Sequence, residues 1–188
     1  HQSMKDYISK YLKKVFDLIR KNQKLSMIIV IIILLCIMYF SIIKNVLILI
    51  LLVFLSAISK LYHRLFKNYL GIDFVLFSCV AASFMFGWKV GMIVGWISLI
   101  LADYFGNRLS HTSLISLITL VIISFIPNII TGQTFFVIGI VSTFIFEVIA
   151  APLYMLMGSD VPKIITFLSS HFLFNLIIFM NLSNFIIR

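Results

Sequence analysis

Acidic residues are scarce in this chain: six carboxylates stand against fifteen lysines and arginines in 188 residues, and charged residues of both signs make up only 11%. A soluble domain carries roughly 25% charged and about 45–50% apolar residues. Here 62% are hydrophobic and the mean hydropathy is +1.17, which excludes a soluble enzyme and points to an integral membrane protein. Cysteine is limited to Cys36 and Cys79, both inside apolar runs, which excludes a disulfide framework and a CxxC metal site. Proline occurs three times, so long apolar stretches run on with few breaks. The polar stretches 1–25, 60–72 and 105–112 are each too short for a core of their own. Function must therefore be built inside a helical bundle or on its face.

The distribution of the basic residues argues against nucleic acid as a partner. Lys5, Lys10, Lys13, Lys14, Arg20, Lys21 and Lys24 all precede the first apolar run, where a cluster reads as a cytoplasmic anchor facing anionic lipid. Within residues 4–21, Met4, Tyr7, Ile8, Tyr11, Leu12, Val15, Phe16 and Ile19 recur at helical spacing with lysines opposite them. This predicts a basic amphipathic helix lying in the membrane interface, with docking to a partner as the alternative. The expected organisation is that interfacial helix over 1–25 and a single transmembrane bundle over 26–188. His1-Gln2-Ser3, ahead of Met4, read as an addition, and His1 carries no weight.

Apolar segments follow at 27–43, 46–59, 73–86, 88–104, 113–131, 135–157 and 164–186. As one helix, 27–59 would measure about 50 Å against a hydrocarbon core of about 30 Å. Two short spans turned at Lys44-Asn45 are therefore expected, giving an all-α bundle of seven spans with six as the alternative. With seven spans and the amino-terminal side in the cytoplasm, twelve basic residues lie inside and three outside, as expected in a plasma membrane.

Gly87, Gly91 and Gly95 are spaced by four and continued by Ser98 and Ala102 on nearly the same face. Small residues at this spacing let two helices approach closely in lipid, either within the bundle or against a partner helix. Acidic residues inside spans are rare and each is a candidate for function. Glu147 lies mid-segment with no lysine or arginine beside it, and either binds a polar ligand, cation or proton or is a hydrogen-bonded structural residue. His171 and Asn175, four apart, project from one face of the last span as a cavity wall or as interhelical glue. Asp103 near the end of its span is a cap or a ligand, Asp73 and Asp160 read as caps, and Trp88 flanks the glycine stripe. His63 and His111 are expected to be solvated. No HExxH, GxSxG, paired intramembrane aspartates or phosphate-cradling glycine loop is present, so no catalytic residue, no cofactor and no enzyme activity is expected; an intramembrane hydrolase is the remote alternative. Glu147 with His171 gives too few ligands to assign a metal.

The stretch from Asp73 to Asp103, an apolar helix, then Phe86-Gly87-Trp88-Lys89-Val90-Gly91, then a second helix through Gly95, resembles the substrate-binding (S) components of energy-coupling factor transporters. In that family a helix with small residues leads into an FGPxxG-like turn; here Trp88 stands in place of the proline. The resemblance extends loosely over residues 45–186. It implies six helices, both ends cytoplasmic and an outward loop after the first helix. It also implies a vitamin-like or metal ligand bound near the outer face by Glu147, His171, Asn175, Asp103 and Trp88. The glycine face of residues 87–102 would then dock on a membrane coupling subunit driven by cytoplasmic ATPases. A similar helical arrangement belongs to small membrane proteins of the bacterial rod-shape determinant family, which act as scaffolds, and a ligand-free scaffold using the same glycine face is the alternative.

Overall fold

The computed structural model describes Met4 and residues 23–65 and 70–186; the expected amphipathic helix over 1–25 lies, apart from Met4 and residues 23–25, outside the described residues. Two compact units divide the chain, His1–Leu47 and Ile48–Arg188. The secondary structure is helical, with no strand among the described residues.

Helix α1 spans Gln23–Ser59, 37 residues without a break. The expected turn at Lys44-Asn45 is absent: neither residue is a glycine or a proline, and lysine is a good helix former, so the backbone ladder continues through the polar pair. At about 55 Å, α1 exceeds the hydrocarbon core, which a helix accommodates by tilting or by emerging from it. In the first unit the described side chains from Met27 to Lys44 are all exposed, an apolar surface suited to lipid rather than to water.

In the second unit the end of α1 leads through the single turn α2 (Tyr62–Leu65) to α3 (Val75–Phe86), α4 (Trp88–Gly106), α5 (His111–Ile129), α6 (Phe135–Leu156) and α7 (Val161–Leu182). These follow the expected segments closely, because Gly87, Asn107, Gly132 and Gly158 stop the helices where the sequence marks breaks. Among the described residues five helices, α1 and α4–α7, are long and apolar enough to cross a membrane. The protein is thus a helical membrane protein. Twelve-residue α3 rises only about 18 Å and sits at the centre, packed on α4, α5, α6 and α7 with ten of its residues buried. Ser78, Cys79, Ala81, Ala82 and Ser83 keep it thin enough to be surrounded. Ser78 Oγ also donates to Leu52 O and bonds Ser56 Oγ at 2.8 Å, which ties the last turns of α1 to α3.

The glycine face of α4 is spent inside the chain. A Cβ at Gly91 would stand 1.7 Å from Ser83 Oγ and one at Gly95 would stand 3.0 Å from Cys79, while Ser98 and Ala102 are fully buried. The close approach made possible by these residues is to α3, joined through Gly87, and the face is covered rather than open to a partner helix. Lipid-facing positions of α4 lie opposite, at Ile93, Ile97, Ile100 and Tyr104.

Candidate functional site

Three charged residues meet at the end of the bundle where α4 stops. Lys60 follows the carboxyl end of α1, where a cation suits the helix dipole, and Asp73 lies two residues before the start of α3, where its carboxylate accepts from Val75 N at 3.0 Å. Asp103 lies in the last turn of α4, the unfavourable end for a carboxylate, and so depends on its partners. Lys60 Nζ stands 2.9 Å from Asp103 Oδ1 and 3.3 Å from Asp73 Oδ2, while Ser113 Oγ donates to Asp103 Oδ2 at 2.5 Å. The side chains are only 6–11% exposed. Gly106 makes the meeting sterically feasible, since a Cβ there would lie 3.1 Å from Lys60 O.

Burial alone would raise the Asp73 carboxyl, but Lys60 above all, with His171, outweighs it and holds the group below the ordinary carboxylate value. A carboxyl lowered in the folded state contributes stability that is complete above its unfolded value of about 3.9 and is lost as pH falls through its folded value. The melting midpoint of the detergent-purified protein is therefore expected to drop as pH is lowered below about 4. Asp73→Asn should flatten that limb, and a wild-type-like limb in the variant would remove Asp73 as its source.

Above this network opens a cavity of about 370 Å³. It forms where the ends of α4 and α6 meet the starts of α5 and α7, flanked by the turns 107–110 and 157–160. Asn107 closes α4 at φ 53 and Gly158 follows α6 at φ 80, the left-handed geometry that stops a helix and turns the chain sharply. Ser110 caps α5 in a capping box with Ser113. Lys60 and Asp103 form part of the lining, with Ser113, Ser116 and Tyr154 beside them and Ile164 and Phe167 of α7 opposite. The Tyr154 hydroxyl bonds that of Ser116 at 2.7 Å. Arg108, His111, Asp160 and Lys163 also line it; Arg108 meets the His63 ring at 3.0 Å, and Lys163 pairs with Asp160.

Behind Phe167 lies a second polar pair. His171 Nδ1 is 3.4 Å from Glu147 Oε1, and its ring is held between Phe146 and Phe167, the latter stacked at 5.5 Å. Asn175, fully buried one turn on, donates to His171 O, and its Oδ1 has no partner among the described residues. The structure thus brings Glu147, His171 and Asn175 together, and it places Asp103 in the cavity floor on the other side of Phe167.

Trp88 does not belong with either group. It starts α4, about 22 Å along the helix from Asp103, where it stacks on Phe125 at 4.5 Å under the Lys89 ammonium. His111 is exposed as expected, but His63 is buried beside Arg108. Lys60, Tyr154 and Ser116 escape sequence reasoning, because residues from separate helices form the site and no local spacing links them. Among the described residues no cluster of three or more His, Cys, Asp or Glu could hold a metal ion, so a metal ligand finds no donor set there. No protein-family model, curated protein or solved structure matches the chain.

Proposed function

We propose that this chain is a small-molecule-binding membrane subunit of the S-component kind, which captures an organic ligand in the cavity and works with a membrane coupling subunit driven by cytoplasmic ATPases. The observation that supports it is a cavity of about 370 Å³ whose lining includes the buried ion pair of Lys60 and Asp103. Ligand pockets run from about 300 to 1,000 Å³ and combine apolar walls with a few placed polar groups. Here Phe167, Ile164 and Met157 supply the apolar part and Tyr154, Ser116 and the ion pair the polar part. Charged side chains are costly to bury in a membrane bundle and mark ligand or ion paths by default. The chain has no Walker motif, so ATP hydrolysis falls to the partners.

The basic amino-terminal cluster lies on the cytoplasmic face of the plasma membrane. With α1 as one crossing and α3 as another, residues 60–72, 107–110 and 157–160 face outward with the cavity. Lys89 and Arg188 then join the first seven basic residues inside, nine against Lys60, Arg64, Lys67, Arg108 and Lys163 outside. Both ends cytoplasmic and an outward loop after the first helix are what the S-component resemblance implies.

Thermal melting of the purified protein against a panel of vitamins and nucleobases tests this, since a pocket ligand stabilises by RT ln(1 + [L]/Kd). One compound is expected to raise the midpoint by about 5 °C at a hundredfold excess over its Kd. Thr112→Trp, which places an indole in the cavity lining, should abolish the shift. No shift from any compound would return the chain to the scaffold reading, now without its glycine face.

A further inference from the structure

A carboxylic acid and an imidazole meet where a bilayer is least hospitable to charge. Glu147 is the thirteenth of the 22 residues of α6 and His171 the eleventh of the 22 of α7, so both lie near the middle of a crossing. The His171 ring is held by Phe146 and Phe167, which fixes Nδ1 toward Glu147 Oε1 at 3.4 Å. The histidine side chain is 2% exposed, but that of the glutamate keeps 16%, and its neighbours Phe144 and Val148 are open to lipid. Contacts of Glu147 with His171 and of Gly139 with Phe179 set the register of α6 on α7, which puts Ser142 level with Asn175. Ser142 Oγ and Asn175 Oδ1 are both fully buried without a partner among the described residues, so the polar character of the seam continues beyond the pair. Helices can be joined by amides and hydroxyls alone, whereas ionisable side chains at this depth are costly and form proton relays in membrane proteins.

We propose that Glu147 and His171 form a proton-binding site in the membrane interior, reached from the lipid side and separate from the cavity, in which the two groups share one proton. Two donors are too few to hold a metal, but they suffice for a proton. On the imidazole the proton makes an ion pair; on the carboxyl it leaves the couple neutral. Its loss leaves a carboxylate alone in low dielectric, so both groups titrate as one unit. The elements packed around the pair bring few other charges to it. The segment before α3 carries Asp73, electrostatically coupled to His171 and already held by Lys60. Tyr154 of α6 bonds Ser116, His111 is exposed at the start of α5, and Asp160 and Lys163 pair with each other at the start of α7. The site is independent of what the cavity binds.

The test is labelling of the full chain in phospholipid vesicles with dicyclohexylcarbodiimide, a lipid-soluble reagent that couples to protonated carboxyl groups, followed by mass spectrometry of the peptides. The adduct is expected on Glu147, forming about tenfold faster at pH 5 than at pH 9, because only the protonated fraction reacts. Asp73 and Asp103, held as carboxylates by Lys60, should stay unlabelled. His171→Gln keeps a hydrogen-bonding side chain but cannot take the proton, which then has the carboxyl alone. In that variant labelling of Glu147 at pH 8 should be about threefold faster than in wild type. No adduct on Glu147 at any pH, or a rate that does not change between pH 5 and pH 9, overturns the proton site. A His171→Gln rate equal to wild type overturns the sharing of the proton. Because the pH series uses the wild-type protein, it decides the matter even if His171→Gln does not fold.

Discussion

Lys60→Met is expected to lower the melting midpoint by about 10 °C, the larger part of which Asp73→Asn and Asp103→Asn in the same chain should restore. The single substitution leaves two carboxylates, each 6% exposed, without the ammonium that lies within 3.3 Å of both. Removing one partner of a buried ion pair costs about 3–5 kcal/mol, because the remaining charge has neither water nor counter-ion. Replacing charged groups by neutral ones of similar shape avoids most of that penalty, which is why the triple variant recovers. Circular dichroism melts of the three proteins in one detergent would decide it. A Lys60→Met midpoint within about 2 °C of wild type would show that the network contributes little to the fold.

Gly91→Leu is expected to split the hairpin of α3 and α4. The clash is with backbone as well as side chain: a Cβ at this position would stand 2.7 Å from Ser83 Cα, so no rotamer change relieves it. Overpacking a well-fitted interior costs about 1–3 kcal/mol where neighbours can shift, and more where backbone must move. Gly95→Ala meets side chains alone, Cys79 Cβ and Sγ at 3.0 Å and Leu120 Cδ1 at 3.7 Å, and should be milder. Cys79, fully buried against the same face, reports the result. In a Cys36→Ala background, a membrane-permeable maleimide should label Cys79 rapidly in Gly91→Leu and slowly in the parent. Equal labelling would mean that the two helices hold together without the small residue. Ile97→Ala on the lipid-facing side of α4 serves as the neutral control.

Most of the helices could be read from the sequence, because a bilayer imposes the same requirement along the whole chain: each crossing is apolar and each break carries glycine, proline or a charge. The exception is α1, where Lys44-Asn45 marks a polar interruption but contains nothing that breaks a backbone ladder. The grouping of Glu147, His171 and Asn175 was half legible. Spacing by four places His171 and Asn175 on one face, but only the packing of α6 on α7 brings Glu147 to them. Asp103 was visible as a costly acid near a span end, yet its partners Lys60 and Ser113 lie 43 and 10 residues away in sequence, beyond any periodic signal. The glycine stripe was legible as a contact face, but its partner was not: small residues show that a helix comes close without showing whose. Trp88 lies too far along α4 to share a ligand with Asp103, a separation that follows once both are placed on a single helix.

Central, short and buried on nearly every side, α3 poses a problem of biogenesis. Its twelve residues reach only about 18 Å, too little to hold a place in lipid unaided. Most of the surfaces that cover it, on α4 through α7, are encoded after it and have not left the ribosome when it emerges. Gly87 alone separates α3 from α4, so the two leave the ribosome as one hairpin, with the nineteen-residue α4 directly behind its shorter neighbour. The core of this bundle is therefore installed before its walls, and each later helix to enter finds its docking surface already in place.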